Sequence, residues 1–241
     1  MPRLVIPGFR ISEEAIEKDI ALMRFYGAEV KLNTPAPSVS ELKAMGYTHI
    51  FFAVGAGKAG QLDIPGNVVP VIQWLRDLKA GKDVPLGHVA VVGGGNVAVD
   101  AACMVLRSGA KNVTMVSIEQ REEMPASPDE IEEALADGVK LDCGWGPAKI
   151  NADANGQVES ITLRRCTRVF DSEGRFAPEY DDADTRTIDC KQVVLAIGQS
   201  IEWGSLLEGS AVELGRGNTA VADGFTYQLS LIHISEPTRQ A

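Results

Sequence analysis

The sequence predicts an α/β fold, a parallel sheet unit continued into an antiparallel meander, and three observations predict it. Fully apolar runs recur with helical stretches between them, as in strands buried on both faces. One such run breaks into Gly93-Gly94-Gly95 immediately before a helical pattern. After residue 143 the pattern changes to alternating strands separated by turn residues.

Taken in order, Met1 to Phe9 is extended, with Pro2 and Pro7. Ser12 caps a helix running to about Tyr26, with Ala15, Ile16, Ile20 and Met23 on its buried face, and Gly27 stops it. Ala28 to Thr34 reads as a strand and Ser38 to Met45 as a short helix. His49 to Gly55 reads as a buried strand, Leu62 to Gly66 as a loop and Val71 to Leu78 as a helix. The central unit is strand 88–92, helix 96–108, strand 112–117, helix 128–136 and strand 139–143. Lys149 to Arg168 reads as a hairpin turning at Asn151 to Gly156. Asp171 to Gly174 is a second turn, Thr185 to Cys190 a third short strand, and Gln192 to Gly198 a buried strand ending in glycine.

Residues 88 to 119 carry the chemistry. Gly93-Gly94-Gly95-Asn96-Val97-Ala98 fits G-x-G-x-x-A at a strand-to-helix turn, and a second strand ends about 20 residues past Ala98 in Glu119. Gly93 permits the tight turn, Gly95 lets backbone approach a pyrophosphate, and Ala98 lets the helix lie close on the strand. The phosphates then meet free N–H groups at the positive end of the helix. The pattern therefore reads as a dinucleotide site.

The chain has 241 residues, 45% hydrophobic and 23% charged, which is a globular composition. A net charge of −10 argues against nucleic acid or an anionic membrane as partner. Cys103, Cys143, Cys166 and Cys190 are widely spaced, so neither a metal site nor a redox disulfide is expected. No run approaches the roughly 18 apolar residues of a membrane span. A cytoplasmic protein is expected. No Ser/His/Asp set or paired catalytic carboxylates stand out, so no catalytic side chain is assigned. His49 and His88 read as structural, and the acidic run Glu122 to Glu133 as a solvated helix start.

Phe52-Ala53-Val54-Gly55 and Leu195-Ala196-Ile197-Gly198 bracket the dinucleotide unit. Together with Ile6-Pro7-Gly8-Phe9-Arg10, Gly57, Ile64-Pro65-Gly66, Met124-Pro125-Ala126, Gln199 and Gly217-Asn218, they make the chain resemble flavin-dependent pyridine-nucleotide oxidoreductases related to the glutamate synthase small subunit. The resemblance covers nearly everything from Met1 to Gln228. It implies a two-dinucleotide-binding-domain flavoprotein: a Rossmann-like NAD(P)-binding domain at 65–198 inserted in an incomplete FAD-binding domain, at 1–64 and 199–228. It implies hydride passing from NAD(P)H to FAD, and electrons passing on to a partner subunit or iron–sulfur centre. Gly55 and Gly198 are then cofactor-binding positions alongside Gly93 to Ala98. The alternative from the residues is a stand-alone NAD(H)-binding module without catalysis.

Two departures from the family are visible. Its upstream FAD-binding strand-glycine-helix does not precede Met1, so the chain is expected to be a fragment, inactive on its own. After Gln228, where a flavin motif is expected, Leu229 to Arg239 matches a frame translation of a transposon sequencing-library adapter. Residues 229–241 are expected to be read-through rather than biology.

Cofactor choice rests on Ser117-Ile118-Glu119. Family members that use NADPH place arginines at this strand end, whereas here the positions are Ile118 and Glu119. A carboxylate accepts ribose hydroxyls and repels a 2′-phosphate. NADH is expected, while nearby Arg121 keeps NADPH in play.

Overall fold

The computed structural model describes residues 2–66 and 68–229. Residues 230–241, which hold all but the first residue of the expected adapter-derived tail, lie outside the described residues. The chain divides into two compact units. The first comprises the described residues up to Gly27 together with Ala59–Gly198; the second comprises Ala28–Lys58 and the described residues from Gln199 on.

The first unit opens with α1 (Glu13–Phe25), capped by Ser12, whose Oγ accepts from the Ala15 N–H at 3.2 Å. Of the apolar stripe expected on α1, Ile16 is buried, Ala15 and Ile20 are half-buried and Met23 is exposed. The helix therefore packs along a narrower seam than its pattern predicts. A five-stranded parallel sheet follows, built from β2 (Val69–Pro70), β3 (His88–Val92), β4 (Asn112–Ser117), β5 (Lys140–Cys143) and β9 (Gln192–Leu195), in the order β2-β9-β3-β4-β5. The crossovers are α3 (Val71–Lys79), α4 (Asn96–Arg107) and α5 (Pro128–Asp137). Ser127 caps α5 and Gly138, at φ +99°, ends it in the left-handed conformation. Between β5 and β9 lies the antiparallel meander β6 (Trp145–Ala152), β7 (Val158–Phe170) and β8 (Phe176–Asp189). The third meander strand is far longer than the Thr185–Cys190 expected from apolar content, because ladder bonds to β7 continue through its polar half.

The period of two decides the layering. Val89, Val91 and Val194 face the helices with Val99, Val105 and Trp74; Ala90, Val92, Val193 and Leu195 face the meander with Ile161, Leu163 and Trp145. The sheet is thus buried on both faces, which is why its strands read as unbroken apolar runs. Each buried Val or Leu stabilises by about 1.5–3 kcal/mol relative to exposure.

The second unit contains α2 (Val39–Ala44), held by a capping box in which Ser38 Oγ accepts from the Glu41 N–H and the Glu41 carboxylate accepts from the Ser38 N–H. Two-residue strands β1 (Lys58–Ala59) and β10 (Gln199–Ser200) lie where the chain crosses between units. The strands expected at 28–34 and 49–55 do not form. An extended segment becomes a strand only when a neighbour accepts its backbone groups, and none is present for them among the described residues. Phe51 is 93% exposed as a result.

Candidate dinucleotide site

The three glycines after β3 answer to three different demands. Gly93, at φ +146°, donates its N–H to Val116 O at 2.9 Å; a Cβ there would fall 2.4 Å from Ala196 O. The end of β9 therefore requires a glycine at 93. A Cβ at Gly94 would fall 2.6 Å from Glu119 Oε2 and 2.7 Å from Ser117 Oγ. A side chain at 94 would therefore have to displace the Ser117 and Glu119 side chains at the end of β4. Gly95 caps α4 at φ −95°, ψ 172°, an ordinary extended conformation, and among the described residues no atom beyond its chain neighbours lies within 4 Å of where its Cβ would be. Nothing among the described residues requires glycine at 95.

Helix α4 starts from that open position without a side-chain cap. The Ala98 and Val99 N–H groups return to Gly95 O at 2.9 and 3.2 Å, whereas the N–H groups of Asn96 and Val97 precede the helical bonding pattern. Ala98 is fully buried and Asn96 and Val97 are exposed, so one small residue sets the helix on the sheet and the two before it stay at the surface.

At the end of β4, the Ser117 hydroxyl donates to Glu119 Oε2 at 2.5 Å and accepts from the Glu119 N–H at 3.2 Å. These bonds hold the Glu119 carboxylate beside Gly94. Arg121 opens a 3-10 turn, Arg121–Glu123, and its guanidinium is paired with Glu132 of α5. The chain then returns to the glycine turn, where Ala126 N–H donates to Gly94 O at 3.0 Å and Ser127 N–H donates to Asn96 Oδ1 at 2.9 Å. Asn96, singled out as a cofactor contact, therefore uses its side-chain oxygen to latch this loop. Met124 and Ala126 are buried beneath it.

The structure thus brings Gly93, Gly94, Gly95, Asn96, Val97, Ala98 and Glu119 together, with Arg121 two residues further along the chain. Gly198 lies in the same unit, past the end of β9, and accepts from the Gly60 N–H at 2.9 Å. Gly55 belongs to the second unit, at φ +67° with no atom within 4 Å of its would-be Cβ. Sequence reasoning missed Ser117 as the group that orients Glu119, although serine two residues before the terminal acid is visible in the spacing. It also missed the latch from Ala126 and Ser127, for which only the Met124-Pro125-Ala126 marker hinted at a role.

Burial pushes the Cys103 and Cys190 thiols up to about 11, which keeps them protonated at neutral pH. Among the described residues, no group of three or more His, Cys, Asp or Glu could hold a metal ion. Among them, too, no helix is long and apolar enough to cross a membrane.

Residues 13–229 match the family described as pyridine nucleotide-disulphide oxidoreductase. The chain is 28% identical over 231 residues to the NADPH-Fe(3+) oxidoreductase subunit beta of Geobacter sulfurreducens, covering 90% of this chain and 34% of that one. It is 26% identical over 239 residues to the glutamate synthase [NADPH] small chain of Escherichia coli, covering 90% and 50%. This chain therefore spans between about a third and a half of these relatives' lengths. The solved structure of a histidine-to-glutamine mutant of FprA from Mycobacterium tuberculosis superposes with a TM-score of 0.60 at 17% identity, covering 82% of this chain and 61% of that one; the likeness is one of fold.

Proposed function

The chain belongs to the pyridine nucleotide-disulphide oxidoreductase family, and from that premise we propose that it is part of a flavoprotein oxidoreductase taking reducing equivalents from a nicotinamide dinucleotide through FAD to a partner subunit or iron–sulfur centre. The observation that carries the reading is Gly95, a glycine that neither backbone conformation nor protein packing explains. A phosphate seated against it explains it, because close approach of the anion to backbone excludes a Cβ.

The residues present fit the dinucleotide. The uncapped start of α4, at Asn96 and Val97, offers N–H donors to the pyrophosphate. Glu119, oriented by Ser117, accepts hydrogen bonds from ribose hydroxyls. When bound, the reduced dinucleotide supplies the hydride. The protein's part is to position it and exclude water, which needs no acid or base. Gly198 and Gly55 are proposed to serve the flavin side, and FAD itself follows from the family resemblance. A partner subunit accords with the names of the two relatives, one called a subunit and the other a small chain.

Both relatives are named for NADPH. For this chain we favour NADH, because Ile118 and Glu119 occupy the strand end where a 2′-phosphate would lie. Calorimetric titration of the full chain with NADH and NADPH tests the site and the preference together. Glu119→Arg should move the preference toward NADPH by removing a repulsion and adding a phosphate partner. Absence of NADH binding would remove the site, and tighter NADPH binding by the unaltered chain would remove the preference.

A further inference from the structure

We infer that Glu132 sets cofactor preference at a distance from the cofactor, by holding Arg121 in a pose that withholds it from a 2′-phosphate. The inference rests on the dinucleotide reading above and deepens it. The β4–α5 loop borders the ribose end. Its first part carries Glu119 beside Gly94, and its last part is latched to the glycine turn through Ala126 and Ser127. Between these two fixed points lies Arg121, two residues past Glu119, so their Cα atoms are at most about 7 Å apart. The latches hold the backbone of this loop at the site, and the long Arg121 side chain is the part free to choose a partner.

In the structure that partner is Glu132, one turn into α5. Both side chains are solvent-exposed, at 42% for Arg121 and 68% for Glu132. An exposed pair of this kind contributes little to stability, about 0–1 kcal/mol, so it exchanges readily for a stronger partner. A 2′-phosphate is such a partner: a dianion whose oxygens match the guanidinium fork. Glu119 and Glu132 then act on the same ligand group by different routes. Glu119 repels the phosphate directly, and Glu132 competes with it for the available cation. NADH, which lacks that phosphate, is indifferent to the competition.

The test uses the full chain and two small probes that differ only in the 2′-phosphate, 5′-AMP and adenosine 2′,5′-bisphosphate, with NADH as a reference ligand. Glu132→Gln frees Arg121 without adding charge. It should tighten the bisphosphate about three- to fivefold while leaving 5′-AMP and NADH unchanged. Adding Arg121→Gln should abolish that gain, and Glu123→Gln, which removes a neighbouring charge without touching the pair, should not reproduce it. A gain that survives Arg121→Gln, or appears equally in Glu123→Gln, would overturn the inference in favour of a general loss of negative charge. Unchanged bisphosphate affinity in Glu132→Gln, with NADH still bound, would overturn it and leave the dinucleotide site standing. Loss of all three ligands from the unaltered chain would overturn the site and the inference together.

Discussion

Arg10 reaches Asp100 across ninety positions of chain, its Nε donating to Asp100 Oδ1 at 2.7 Å. The same guanidinium donates from Nη1 to Glu133 of α5 at 2.8 Å, and Phe9 beside it lies under Arg107, whose guanidinium carbon is 4.1 Å from the ring centroid. Phe9-Arg10 therefore joins α4 to α5 just behind the glycine turn. Arg10 is 24% exposed, so its bonds are sheltered from water but not removed from it. Arg10→Ala should lower the stability of the first unit by about 1–3 kcal/mol, the range for partly buried hydrogen bonds to charged groups. Urea unfolding of Arg10→Ala, Asp100→Asn and the double variant should give a coupling above about 0.5 kcal/mol. Strict additivity would show that the pair contributes nothing.

The glycines separate folding from binding. Gly93→Ala places a Cβ 2.4 Å from Ala196 O at a backbone angle that alanine resists, so it should destabilise by more than about 2 kcal/mol. The Cβ that Gly95→Val adds meets no described atom beyond its chain neighbours within 4 Å at φ −95°, so the first unit should stay folded at a cost of no more than about 1 kcal/mol, while NADH affinity falls at least tenfold. Circular dichroism and calorimetry on the two variants decide this. A Gly95→Val protein that binds NADH normally would leave that glycine unexplained.

How much was legible depended on whether a segment's partners are close in sequence. Residues 88 to 143 were readable because each strand, helix and turn signals itself locally, from the apolar run of Val89–Val92 to the αL glycine at 138. Residues 49 to 55 have the same apolar run as a true strand, yet pattern reports burial preference, not the presence of a neighbouring edge. The expected domain limits placed residues 1–64 together, whereas packing groups Phe9 and Arg10 with α4 and α5. A lone Phe-Arg dipeptide carries no period or cap to announce a contact ninety positions away. At the site, the glycines and Glu119 were visible from spacing; the pairing of Arg121 with Glu132 was not, since eleven residues and a turn separate them.

His88 gives the first unit an acid-sensitive joint. Its Nε2 lies 2.9 Å from the hydroxyl of Thr114, itself buried on β4. Burial, and then the charge of Lys140, lower its pKa from the ordinary value near 6.5, while Asp189 opposes them. The sign follows from linkage. Below about pH 6.5 the unfolded chain takes up a proton that the native site resists, so stability is complete above that pH and declines as pH falls toward the depressed native value. Urea midpoints should therefore fall between about pH 7 and pH 5, above the range where most carboxylates titrate, and the decline should be shallower in His88→Gln. Parallel slopes in the two proteins would remove His88 as the cause.

The two units should not share one stability. Among the described residues, the buried hydrophobic side chains of the second unit are Val39 and Trp203, whereas the first unit holds the whole two-faced core around β3, β4 and β9. Trp203 is fixed by a bond from Nε1 to Asn218 O at 2.8 Å and by Phe52 packed edge-on at 5.5 Å, but Phe51, Phe225 and Tyr227 of the same unit stand in water. With so little apolar area removed from solvent, local opening there should cost far less than opening the parallel sheet. Hydrogen exchange followed by mass spectrometry should show amides of 28–58 and 199–229 exchanging at least a hundredfold faster than those of 88–92 and 112–117, a gap of about 3 kcal/mol in opening free energy. Urea should remove the slow amides only in a second, later transition. Equal protection across both units, lost in one transition, would mean that the second unit draws its stability from the first and that burial within each unit is the wrong measure of it.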